Sequence, residues 1–258
     1  MWIMSNGQLI ESKPSFLAEV KPDDYMGDMR KHIKPPYIKI IQAMTGEPFK
    51  PPFVDGDIVI PPSNVKIGSN SEPFSFTPVY FFTSYLCFNP IQVKSLKSLR
   101  DFSFDPNSEV AKKCENFVKE KCPENPEYSL KYNMLLNFFV VVHGVPDLTD
   151  TPVTLSFKGG EFGTGRTLIN LIEARKAPPF ACRFRAASSR HKNTQFNWQG
   201  LDLQNDATPW ITDENTFNKY KKFHDDLKEA IKTKSVDMEA QFSESDSDGA
   251  NAAGESKF

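Results

Sequence analysis

The stretch FSFTPVYFFTSYLCF (74–88) limits what this chain can fold into more than any other. Aromatic and β-branched residues dominate it, and such side chains suit the pleated surface of a strand. Pro78 lies inside it and cannot donate to a ladder, so a long strand with a bulge at that proline is expected. NMLLNFFVVVHGV (133–145) is a second run of this kind and reads as a central strand. It is too short to cross a bilayer, which takes about 20 apolar residues in a helix. The 20 prolines fall largely between short apolar runs, favouring short strands and turns over long helices.

YIKIIQAM (37–44), DGDIVIPPS (55–63, a turn and then a strand) and VTLSF (153–157) add further strands. FACRFRAASSRHKN (180–193) and QFNWQGLDL (195–203) read as a hairpin turning near 191–194. TGRTLINLIEARK (164–176) is predicted helical, stopped by Pro178 and Pro179. So is 212–234, where Phe217, Tyr220, Leu227 and Ile231 recur at helical spacing behind an acidic first turn. SEVAKKCENFVKEKC (108–122) predicts a short helix N-capped by Ser108, within a charged insertion at about 89–131. The expected architecture is mainly β with few helices. It comprises a polar arm (1–34), an OB-like small barrel or curved sheet over 35–234 closed by a C-terminal amphipathic helix, and a disordered acidic tail (235–258). An α+β arrangement fits the same element order.

The whole-chain net charge of −2 excludes a uniformly basic, histone-like binder, but it hides a segregation of charge. Between Lys158 and Lys192 eight cations face only Glu161 and Glu173, whereas from Leu201 to Phe258 thirteen acids face seven bases. Lys158, Arg166, Arg175, Arg183, Arg185, Arg190 and Lys192 are therefore the candidate phosphate contacts, with Phe196 and Trp198 as candidate stacking platforms. Alternation places Arg183 and Arg185 on one face and Phe180 and Phe184 on the other, where the two rings are expected in the core. An ordinary solvated basic face is the competing reading.

GEFGTGRT (160–167) has the spacing of a phosphate-binding loop, with Arg166 where lysine belongs. It follows a strand and opens a helix. Against a nucleotide stand the missing lysine and the little αβ alternation after it. The helix start beside Arg166 still suits a nucleic-acid phosphate. Cys87, Cys114, Cys122 and Cys182 form no short-spaced pair, so no metal is expected. His32, His143, His191 and His224 are scattered, and no signature of a catalytic site stands out, so neither an enzyme nor a cofactor is expected. The start MWIMSNGQLIES lacks the features of a signal peptide, which favours a cytoplasmic protein with reduced thiols and no membrane partner.

The tail SESDSDGANAAGESKF carries Glu244, Asp246, Asp248 and Glu255 and finishes on Phe258. A flexible acidic tail ending on phenylalanine resembles the C-termini of single-stranded DNA-binding proteins, bacterial and T7-like phage alike. The series YIKIIQAM, DGDIVIPPS, FSFTPVYFF, NMLLNFFVVV, TPVTLSFKG and then TLINLIEARK through QFNWQGLDL also resembles a bacteriophage single-stranded DNA-binding family. The resemblance implies an OB-like core whose basic hairpin binds the strand. It also implies a tail that recruits replication or recombination proteins, its terminal ring and carboxylate filling an apolar pocket, or folds back to compete with DNA. A phage structural or protein-interaction role without DNA binding is the alternative, and the degenerate phosphate loop is a third.

Overall fold

The computed structural model describes residues 2–5, 8–11, 36–45, 52–148, 151–192 and 197–232. The chain divides into two compact units, Met1–Lys34 and Pro35–Phe258. In the first, β1 (Trp2–Ser5) and β2 (Gln8–Glu11) pair antiparallel with Ser5 opposite Gln8. Asn6 and Gly7 stand between them in sequence, the dipeptide that most favours a two-residue hairpin connection. A polar arm was the expectation there; the hairpin is an addition to it.

The second unit is mainly β, as its sequence predicts, and its sheets are open rather than closed into a barrel. A small antiparallel sheet comprises β3 (Lys39–Ile40), β4 (Ile58–Ile60) and β5 (Val65–Gly68). The large sheet is built on β6 (Phe74–Phe88), which carries β7 (Leu99–Ser103) at its far end. It is completed by β10 (Lys131–His143), β11 (Pro152–Phe157), β12 (Phe184–Lys192) and β13 (Asn197–Gln204), in the order β11-β10-β6-β12-β13. In the insertion, β8 (Lys121–Cys122) pairs with β9 (Asn125–Ser129). The helices are α1 (Glu109–Glu115), α2 (Phe162–Ala174) and α3 (Glu214–Lys232). Ser108 caps α1 as predicted, its hydroxyl accepting from the Ala111 N–H.

The bulge falls one residue past the proline. Val140 pairs with Pro78 and Phe139 with Tyr80, leaving Val79 without a partner on β10. A bulge of one residue reverses which face the following side chains take. Phe74 and Phe76 accordingly join a core with Phe138, Phe157 and Phe184, under α2. Tyr80, Phe82, Leu86 and Phe88 pack on the opposite face with Tyr220 and Ile231 of α3. The displaced Val79 carbonyl accepts from His224 Nδ1 at 2.8 Å, so the bulge is also where α3 is fastened. A third apolar cluster, with Tyr85, Cys87, Ala111, Cys114 and Cys122, sits beneath α1.

Each outer edge of the large sheet is met by the segment before β4 at one residue. Pro36–Ile38 runs along β11 through bonds to both polar groups of Thr154. On β13 the side-chain amide of Gln42 accepts from Gln199 N and donates to Gln199 O, as a neighbouring strand would.

Candidate nucleic-acid interface

The end of the β12–β13 hairpin rests on the single 3-10 turn Gly159–Glu161 that leads into α2. The Glu161 carboxylate makes the joint, accepting from Trp198 Nε1 at 2.9 Å and from Leu201 N at 2.8 Å. Two glycines make room for it. A Cβ on Gly160 would lie 2.8 Å from Trp198 Cζ2, and one on Gly200 would meet the Glu161 carboxylate and the His191 ring. His191, directly across from Trp198, stacks on it with centroids 5.6 Å apart and planes 20° apart. The small sheet supports the other side: Gln199 Nε2 donates to Asp55, and the Ser188 hydroxyl donates to Gly56 O.

Lys158, just before the turn, and Arg190 and Lys192, on either side of His191 and on the opposite face of β12, are exposed. Arg190 and Lys192 form no ion pair among the described residues, while Asp202 lies 3.5 Å from His191 and adds an acidic group nearby. Arg166 is exposed on α2, its guanidinium 4.9 Å from the centre of the Phe162 ring.

The other three arginines lie elsewhere. Arg175 is half-buried and donates to the carbonyls of Arg183 (2.9 Å) and Pro209 (3.0 Å). Its guanidinium lies 4.1 Å from the Phe184 ring centre and 5.7 Å from that of Trp210. These contacts consume the group, so Arg175 clamps the segment before β12 to residues 209–210 instead of facing solvent. Arg183 is half-buried with Nε 4.0 Å from the buried Asp206 carboxylate. Burial raises the Asp206 carboxyl, but bonds from Thr208 and Ser75 and the Arg183 charge outweigh it and hold the group below the usual carboxylate range. Arg185 lies opposite Ser75 on β6 and Gln204 on β13.

One groove lined by seven cations is therefore corrected. Five positions separate Arg185 from Arg190, an odd interval in an unbroken strand, so they take opposite faces. They also stand about 17 Å apart at ~3.3 Å per residue. Phe180 and Phe184 are both buried, as expected, but not on one face. The 3-10 turn Pro179–Ala181 redirects Phe180 to the core under α3, against Phe217 and His224, while Phe184 joins the core under α2. Phe196 and the tail residues Glu244, Asp246, Asp248, Glu255 and Phe258 lie outside the described residues. Glu161 and His191 are the site residues that charge counting missed; Gly160 and Gly200 were the sequence signals of a close approach.

The phosphate-loop spacing of 160–167 does not produce a loop. Gly163, Gly165, Arg166 and Thr167 are already helical, and Thr167 spends its hydroxyl on Gly163 O. A loop of free N–H groups, which a phosphate cradle needs, is thus not formed.

In the insertion, a cavity of about 150 Å³ is lined by Cys87, Arg100, Lys113, Glu120 and Tyr132 among others. Its cations are spoken for: Lys113 bridges Glu109 and Glu120, and Arg100 binds Glu124 at 2.8 Å. All four cysteines are buried and free, and burial pushes the Cys114 thiol up to about 11. No cluster of three or more metal-ligating side chains occurs among the described residues. No described helix is long and apolar enough to cross a membrane.

Comparisons with protein-family models, with curated proteins and with solved structures find no match to this chain.

Proposed function

We propose that this chain is a non-enzymatic single-stranded DNA-binding protein of DNA replication or recombination. The observation that carries the reading is the hairpin end, where exposed Arg190 and Lys192 flank His191 along β12 on the opposite face from its stack with Trp198, and exposed Lys158 precedes the turn that holds the indole. Cations with aromatic rings between them are what a sequence-tolerant single-strand contact requires, the charges following phosphates and the rings accepting bases. Arg166 extends the contact along α2, and the acidic tail ending on Phe258 competes for it or recruits partners. Arg175 and Arg183 support the contact from within the fold.

The test is fluorescence anisotropy of labelled oligo-dT and of a duplex of equal length, using the intact chain and one cut after Gln241. Preferential binding of the single strand, tightened by removing the tail and weakened steeply by salt, is expected. An affinity that does not change with salt, or none for either form, would refute the reading and make the hairpin a protein contact.

A further inference from the structure

The insertion holds an aromatic residue in a place that normally excludes one. α1 ends in a two-bond cap: the Val118 N–H reaches Lys113 O at 3.1 Å and the Phe117 N–H reaches Cys114 O at 3.3 Å. The residue in Phe117's position of such a cap turns into the left-handed region and is most often glycine. Phe117 has φ +50° there, and the residue is 88% exposed. A bulky side chain in that conformation is strained, and an uncovered ring forgoes the burial that would offset the strain.

The platform beneath it is firmly built. Cys114 and Ala111 of α1 are buried, and Lys113 ties the helix to Glu120, whose carboxylate also accepts from Tyr132 Oη at 2.7 Å. Within five residues of Phe117 in sequence, Lys112, Lys119 and Lys121 are exposed without ion pairs among the described residues, and of the two acids in 112–121 Glu120 is held by Lys113, leaving Glu115. An unstacked base on its phosphate backbone satisfies both features, because the ring takes the base and the lysines take the phosphates. An apolar protein surface would answer the ring but not the charge.

We infer that Phe117 is a second contact for single-stranded nucleic acid, stacking on an unpaired base while Lys112, Lys119 and Lys121 hold flanking phosphates. This rests on the single-strand reading above but concerns a different part of the molecule. β12 meets β6 at Phe74–Phe76, whereas α1 packs over Tyr85 and Cys87, about 35 Å further along that strand at ~3.3 Å per residue.

The experiment compares the intact chain with F117G on oligo-dT and on an abasic oligomer of equal length. Glycine removes the ring and relieves the backbone, so the variant should melt higher than the parent. Binding of oligo-dT should weaken roughly 5- to 150-fold, the range for losing one stacked base. Binding of the abasic oligomer, and the slope of affinity against salt, should not change. If F117G binds oligo-dT as tightly as the parent while R190A/K192A binds more weakly, the inference is overturned and the tip faces a protein. If the parent itself does not bind oligo-dT, the single-strand reading has failed and this contact falls with it.

Discussion

Arg175→Ala separates an arginine that holds the fold from those that meet the ligand. The guanidinium donates to two backbone carbonyls and lies against Phe184 and Trp210. Bonds from a charged donor contribute about 1.5–3 kcal/mol each, and the low end applies to a half-buried group. Contact with the Phe184 face adds ~1 kcal/mol. Truncation should therefore cost about 4 kcal/mol, a large share of the ~5–15 kcal/mol that holds a domain together. For a chain of this size that lowers the thermal midpoint by roughly 8–16 °C. Below the transition, the salt dependence of oligo-dT binding should match the parent, because the side chain meets no phosphate. R190A/K192A should do the reverse, with stability within about 0.5 kcal/mol and a salt slope smaller by ~1.4. Scanning fluorimetry and salt-titrated anisotropy read the two quantities separately. An Arg175→Ala protein of unchanged midpoint and reduced salt slope would refute the division of roles.

The joint under the hairpin is sensitive to one carbon atom: Gly160→Ala places a methyl group 2.8 Å from Trp198 Cζ2. The indole is tied through Nε1 and yields poorly, so a loss of ~1–3 kcal/mol and a shift in tryptophan emission are expected; unchanged emission and melting would show the joint to be loose. In the insertion, hydrogen bonds from Arg100 and then Cys122 lower the Glu124 carboxyl to about 2 from an ordinary 4.5. A depressed folded value stabilises above the ordinary one and is lost as pH falls through the depressed one. Protection of the β8 and β9 amides, taken relative to intrinsic exchange at each pH, should fall between about pH 4.5 and about pH 2 and change little above it, and Glu124→Gln should abolish the dependence.

The elements legible in the sequence were those with strong local signals. β6 and β10 announce themselves by uninterrupted β-forming residues, α1 by its Ser108 cap, and α3 by Phe217, Tyr220, Leu227 and Ile231 on one stripe. YIKIIQAM was overread: only Lys39–Ile40 form a strand, with a bridge at Tyr37. β5, β7, β8 and β9 were missed because they are short and half exposed, and their pairing depends on partners elsewhere in the fold, β6 for β7 and equally short strands for the others. The site was legible as chemistry but not as geometry. A count of cations cannot tell Arg175, drawn inward by the carbonyls of Arg183 and the sequence-distant Pro209, from Arg190, which stands in solvent. Strand parity could have parted Arg185 from Arg190 without any coordinates. What parity could not supply is the redirecting turn at Pro179–Ala181, since its effect on Phe180 is set by the position of α3.

Val79 works as a phase shift in the ribbon. On one side of it, even-numbered residues of β6 serve the layer under α2; on the other, they serve the layer under α3. A substitution there changes a side chain, whereas a deletion changes a frame. Removing that one residue would bring the ladder into step and exchange the destinations of every ring from Tyr80 to Phe88. It would also take away the carbonyl that holds His224. The middle of β6 should thus admit changes of identity among apolar residues and none of length.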